Sequence, residues 1–391
     1  MAASKNFIVR AEFWAALGLS TSSVTALRFG ESPIGYSEII LAFSLMLVFF
    51  SSRSDPKKSV LFWFWIVSLS TLSVGLVLSF LRSDLRIQQI IQDSISLLFS
   101  AFLSILFYMI LSDKERRSFF LQALCWFSFA LLSLTLVNAF LLGTGWEFGS
   151  RLYGFSKNPN QLALFCLVNL SSIVLYWGEC TGKERSLAKM GMFLITALLV
   201  GYLTASDAFN LAFLLSVAVF LVAYLVRAPK GGRVVGSINV LALVLSPLIL
   251  FYFYLKIPIL LDFLLEVSDD GDQGSIRFAL WENGIEAIYL SPLWGWGPGA
   301  WSGLISPLSG AEAHNTYIDW ATKTGLVGLS AILILNFLCL KRAFFTNRIA
   351  FFSIMTGVLF FSFFHLIIRQ PGYWFLIAAS LSLFPRPIVA R

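Results

Sequence analysis

Four sites in this 391-residue chain carry residue types suited to a charged, oxygen-rich substrate. The sharpest is Ala313-His314-Asn315-Thr316-Tyr317, which leads into Trp320, Gly325 and Gly328. An imidazole titrates near neutral pH and can take a proton from a hydroxyl. His314 is one of only two histidines; the other, His365, falls in a long apolar run. The competing account of His314 is plain interfacial polarity. The second site is Arg151 followed by Gly154 and the turn Asn158-Pro159-Asn160. A guanidinium grips phosphate oxygens through two parallel hydrogen bonds. Asparagines at the head of an apolar run can equally cap a helix, which accounts for both of them but not for Arg151. Arg277 with Trp281, one helical turn apart, is the third site, and Arg369 is the fourth. Snorkelling to a membrane interface explains any one arginine, but it does not explain several gathered around one histidine.

Asp269, Asp270 and Asp272 offer a metal site as the alternative. A calcium loop counted from Asp269 needs glutamate at its twelfth position, where Leu280 stands. The aspartates read as a solvated turn, and neither metal nor cofactor is expected. Cys125, Cys166, Cys180 and Cys339 lack metal-ligand spacing and read as apolar filler.

The elements that must position these residues are transmembrane helices. The chain is 58% hydrophobic and only 13% charged, where soluble domains carry about 25% charge. Runs of roughly 20 apolar residues can each cross a bilayer as a helix, whereas the short alternating segments of a barrel are not seen. The expected fold is an all-α polytopic membrane protein. Twelve spans fit, at about 7–27, 33–50, 59–81, 92–111, 118–142, 160–178, 187–206, 207–226, 234–255, 316–340, 349–368 and 373–386. The last is short and follows Arg369-Gln370-Pro371-Gly372, so eleven remain an alternative.

Of the 28 basic residues, Arg28, Arg82, Arg86, Arg151, Lys157, Lys256, Arg277, Lys323 and Arg369 fall on one side and the remainder on the other. The positive-inside rule makes the richer side cytoplasmic, with both termini there. The basic residues serve orientation and point to no nucleic acid. The depleted side holds the two longest loops, 143–159 and 257–315. The second reads as an ordered cap, with an amphipathic helix over 276–290 and a glycine-rich turn at Gly295, Gly297 and Gly299. The expected organisation is N-terminal helices over 1–142, a functional core over 143–340 and C-terminal helices over 341–391.

With these motifs assembled, the chain resembles the O-antigen ligase and Wzy-type polymerase superfamily. His314-Asn315 with Gly325 and Gly328 matches the ligase signature, and Arg151, Gly154, Asn158, Pro159 and Asn160 match the upstream arginine and NPN turn. Arg277-x-x-x-Trp281 and Pro292-Leu-Trp-Gly295-x-Gly297 match the approach to the histidine. The resemblance covers about 140–340 and departs at Ser206-Asp207, where family members often carry Ser-Arg.

It implies a GT-C-like membrane glycosyltransferase of the bacterial inner membrane, with its active site facing the periplasm. The donor would be a glycan on undecaprenyl diphosphate. The acceptor would be lipid A core for a ligase, or the growing polysaccharide for an O-antigen or exopolysaccharide polymerase. In this reading His314 is the base or the residue that positions the acceptor. Arg151 and Arg277 clamp the diphosphate, Asn158, Asn160, Asn315 and Tyr317 support them, and Arg369 is a further candidate contact. The alternative is a transporter or flippase of lipid-linked glycans, which expects ionisable residues buried in mid-span and repeat symmetry.

Overall fold

The computed structural model describes residues 10–29, 34–51, 59–81, 86–147, 150–179, 186–227, 273–303 and 308–383. Among the described residues up to 227 there are eight α-helices: α1 (Ala11–Thr21), α2 (Tyr36–Ser51), α3 (Val60–Ser79), α4 (Ile87–Ser112), α5 (Lys114–Leu141), α6 (Pro159–Glu179), α7 (Leu187–Leu203) and α8 (Asp207–Arg227). Then come α9 (Gln273–Leu290), α10 (Thr316–Phe345), α11 (Ile349–Phe361) and α12 (Pro371–Ser382). A small antiparallel hairpin, β1 (Trp146–Glu147) with β2 (Arg151–Leu152), sits between α5 and α6.

The chain is an all-α, multi-pass membrane protein. Six of these helices, α3, α4, α5, α6, α8 and α10, are long and apolar enough to cross a bilayer, while α2, α7 and α11 are shorter apolar helices. The expected span 234–255 and loop residues 257–272 lie outside the described residues.

Helix starts follow local chemistry. Ser59 accepts a hydrogen bond from the Leu61 amide, and Asp113 accepts from Glu115 and Arg116, so side chains satisfy the orphan donors of a first turn. The first apolar run stops short as a helix. Ser20, Thr21 and Ser22 donate to the carbonyls of Leu17 and Leu19, and α1 ends at Thr21. The chain then crosses to the loop before α6, where the Ala26 amide donates to the Phe155 carbonyl and Thr25 bonds to that of Ser156.

The final short run is a buried helix of the bundle. α12 is 12 residues long, about 18 Å at 1.5 Å per residue, against ~30 Å of hydrocarbon. Nearly all of it is buried. Trp374 packs on Trp65 and Phe64, and Phe375 on Phe107 and Phe120. Arg342 donates to the Leu381 carbonyl at its far end (2.9 Å).

α10 is broken at Gly325, whose backbone (φ 64°, ψ −169°) is not helical. The glycine-rich turn fills the break. The Trp296 and Gly297 amides donate to the carbonyls of Thr322 and Lys323 (2.8 and 2.9 Å), and the Leu326 amide donates to the Pro292 carbonyl (2.7 Å). A Cβ at Gly325 would stand 2.2 Å from the Leu293 carbonyl oxygen. One at Gly75 of α3 would be as close to the Gly297 amide. Helical spacing alone suggests that Gly325 and Gly328 admit another helix; at Gly325 they admit a loop. Beyond the break, residues 326–345 extend about 30 Å, one hydrocarbon thickness. The polar segment 316–324 stands before it.

Candidate active site

α6, α8, α10 and α12 begin at the same end of the bundle. Their starts are tied to neighbouring chain ends: the Thr316 amide donates to the Ser362 carbonyl, and the Ile367 amide donates to the Thr316 hydroxyl. Three of these helices open in one way. A non-glycine residue in the left-handed region, Lys157 (φ 53°), Ala205 (φ 46°) or His314 (φ 52°), precedes a polar capping residue. Asn158 accepts from the Asn160 amide (2.9 Å), Ser206 from Phe209 (3.4 Å), and Asn315 from Tyr317 and Ile318 (3.0 and 3.2 Å). Such backbone costs about 1–2 kcal/mol per residue, so surrounding contacts must hold it.

For His314 those contacts are visible. The Ala313 carbonyl accepts from the Trp281 indole (2.8 Å). The Ala313 and Asn315 amides donate to opposite oxygens of the buried Asp319 (2.9 and 3.3 Å). The peptide is thereby fixed on both sides of His314, while the imidazole itself is exposed. Partial burial lowers its pKa from the ordinary value; Glu312 opposes this, and Arg277 and Arg369 add to it. The ring is therefore neutral at pH 7, the form that accepts a proton.

Arg151 projects from the hairpin. Its Nη2 donates to Oδ1 of Asn160 (3.5 Å), and its Nη1 lies 3.9 Å from Glu147. The two asparagines of the NPN turn thus divide their tasks, Asn158 capping α6 and Asn160 holding the guanidinium. Arg277, on α9, is within electrostatic reach of Arg151, Asp207, His314 and His365. Burial holds it below its ordinary pKa, Asp207 opposes and Arg151 reinforces. Among the described residues Arg277 makes no ion pair at contact distance. Tyr317 is half-buried, with its hydroxyl donating to the Leu359 carbonyl (3.4 Å) and its ring against Phe363.

Arg369 is placed differently. Its Nη2 donates to Glu312 (2.6 Å), and its Nη1 lies 3.5 Å from Asp93. Lys323 Nζ stands 2.9 Å from Asp93 and 3.7 Å from Glu312. The Asp93 carboxylate also accepts from the Gly299 amide (2.9 Å). Burial alone would lower the Arg369 pKa, but Glu312, Asp93 and Asp319 outweigh it. Sequence reasoning missed Asp93 altogether and did not connect Lys323 to the site. The available signal was an ionisable residue inside an apolar run.

His365, expected within a span, instead lies in the turn after α11, which ends at Phe361. The Thr316 hydroxyl draws this turn inward by donating to the His365 carbonyl (2.6 Å). The ring stacks on Phe361, and burial, followed by Arg277, His314 and Arg151, drives its pKa to about 3. The Asp269, Asp270 and Asp272 turn falls outside the described residues.

No curated protein matches the chain. Residues 192–333 match the O-antigen ligase (Wzy_C) family. That stretch contains Asp207, Arg277, His314, Gly325 and Gly328 but neither Arg151 nor Arg369. The chain is therefore a multi-pass membrane protein whose residues 192–333 resemble the O-antigen ligase domain.

Proposed function

We propose that the protein transfers a glycan from undecaprenyl diphosphate to an acceptor hydroxyl at the periplasmic face of the inner membrane, as an O-antigen ligase or a polysaccharide polymerase. The observation that carries this reading is one gathering: two arginines and a neutral, exposed histidine, supplied by a hairpin, a loop helix and a helix start far apart in sequence. The reaction breaks the bond between the anomeric carbon and the diphosphate oxygen. The leaving group departs with its electron pair, the acceptor oxygen bonds to the same carbon, and the hydroxyl proton goes to the base.

His314 takes that proton. Arg151 and Arg277 meet the charge growing on the diphosphate, as bidentate guanidinium contacts do. The starts of α6, α8 and α10 add the positive ends of three helix dipoles. Asn158 and Asn315 fix those starts, Asn160 orients Arg151, and Tyr317 braces the first turn of α10. Direct displacement inverts the anomeric centre, since a covalent glycosyl route would need a nearby pair of carboxylates. The excess of basic residues at the opposite end supports the periplasmic assignment. The buried Asp93 and Lys323 hold each other rather than lining a path, which favours an enzyme over a carrier.

The test is transfer by the purified full chain in nanodiscs, with a lipid-diphosphate glycan supplied alone or with lipid A core. Elongation of the donor identifies a polymerase, and capping of the core identifies a ligase. His314→Ala should cut turnover by roughly 10²–10⁴-fold with donor binding and thermal melting unchanged. Because the imidazole pKa is lowered, the wild-type rate should fall with acid only below pH ~6.5. Near-wild-type transfer by folded His314→Ala would overturn the reading.

A further inference from the structure

A second polar cleft lies beside the proposed donor site, and none of the residues given a role in the transfer reaction above lines it. It has a volume of about 460 Å³ and is lined by residues of the α1–α2 connection, α2, α4, α6 and the start of α12. Its polar wall carries Arg28, Arg369, Gln92, Gln161, Gln370 and Glu38. The Glu38 carboxylate is already committed to the Gly35 amide and the Ser37 hydroxyl (2.8 Å each). Arg28 makes no ion pair among the described residues, and the carbonyl oxygen of Gln161 is buried without a hydrogen-bond partner. A partnerless buried amide oxygen is costly unless a donor arrives.

The opposite wall is apolar. Ile34, Ile39 and Ile95 line the cleft and are 40–50% exposed, and Phe99 lines it with them. In a bilayer protein such exposed isoleucines face lipid. The cleft thus holds one cation without an ion pair, Arg28, among several amides, and is bordered by exposed apolar side chains. Its polar wall meets the first site on both sides. Gln161 adjoins Asn160, the partner of Arg151, and Arg369 bonds Glu312, two residues before His314.

We propose that this cleft receives the head of a phosphorylated, sugar-bearing lipid, the acceptor of the transfer reaction. Its phosphate lies against Arg28, the cleft arginine with no ion pair among the described residues, its hydroxyls bond Gln92, Gln161 and Gln370, and its tail leaves between α2 and α4. The assignment to the acceptor rests on the donor reading of Arg151 and Arg277; the existence of a separate lipid-head site does not.

Native mass spectrometry of the full chain, titrated with lipid A, undecaprenyl diphosphate and phosphatidylglycerol, tests it. Arg28→Ala/Gln92→Ala should weaken lipid A binding by at least about tenfold, one charge-assisted contact being worth roughly 1.5–3 kcal/mol, while undecaprenyl diphosphate still binds one copy per chain. Arg151→Ala/Arg277→Ala should do the reverse. Wild-type binding of lipid A by the Arg28/Gln92 variant overturns the proposal. So does equal binding of phosphatidylglycerol and lipid A, which would make the cleft a seat for an annular lipid only. If the Arg151/Arg277 variant keeps undecaprenyl diphosphate, the donor reading fails while the lipid A result still stands. Ile39→Trp, placed at the mouth, should weaken lipid A binding without touching any charge; unchanged affinity would remove the sideways route.

Discussion

Two charge clusters sit at the same end of the bundle and are built on opposite plans. In the first, Asp93, Lys323, Glu312 and Arg369 form a closed ring of two anions and two cations, with Lys323 1% and Asp93 3% exposed. In the second, Arg277 stands within electrostatic reach of both Arg151 and His314, with few anions to answer them. The closed ring holds the parts in place: Asp93 grips the loop at Gly299, and Glu312 precedes the histidine. The open cluster leaves charge uncompensated, which the proposed function assigns to the donor diphosphate. Under the proposed function, what separates the reactive cluster from the structural one is incomplete pairing rather than burial or charge.

Breaking the closed ring should have the largest effect on the fold. Lys323→Met removes one cation and leaves Asp93 and Glu312 to share Arg369. Taking one partner from a buried pair costs about 3–5 kcal/mol, so the variant should melt well below wild type and yield less monodisperse protein. A melt within a degree or two of wild type would mean that the ring is not structural. Arg151→Lys and Arg277→Lys probe the other plan. Each keeps its charge but loses the fork, so donor binding should weaken by about 1.5–3 kcal/mol. The thermal melt should stay close to wild type, because neither guanidinium completes a buried pair. Unchanged undecaprenyl diphosphate affinity in both would leave snorkelling as their explanation.

The open cluster was the legible one. Arg151, Arg277 and His314 all fall on the side that the positive-inside rule depletes, so each stood out before any packing was known. The NPN turn was legible as a helix start, but its division of labour was not, because Asn160 acts on a hairpin that has no strong strand signal of its own. The closed ring was hidden for a different reason. Asp93 and Lys323 are far apart in the sequence, and only the packed bundle brings them to 2.9 Å. The break in α10 was hidden as well. Gly325 and Gly328 fit a small-residue helix face by spacing, while the left-handed backbone at Gly325 depends on a loop that must insert there. His365 was misplaced because the apolar run continues past Phe361 although the helix does not. Length and hydropathy indicate that a span exists; they do not indicate where a hydroxyl such as that of Thr316 will pull the chain out of it.

The smallest expected effect is at Asp207, and it bears most directly on the comparison. This residue stands where the resembling family often has arginine. It is exposed at the first position of α8 and is the carboxylate that opposes the lowered pKa of Arg277. Two of its interactions work against each other. An anion in the first turn favours the helix by roughly 0.3–1 kcal/mol, yet under the proposed function the same charge competes with an incoming diphosphate for Arg277. Asp207→Asn keeps the shape and an acceptor but removes the charge. Donor affinity should then rise by a few-fold, with the gain shrinking as salt screens the exposed carboxylate. The melt should drop only slightly through the lost dipole interaction. Asp207→Arg should go further in the same direction by adding a cation to the open cluster. Affinity measured against ionic strength separates the outcomes. A salt-dependent gain in both variants would make Asp207 a brake on donor binding. A loss in Asp207→Asn would mean instead that the carboxylate positions Arg277, and that the open cluster depends on one anion after all.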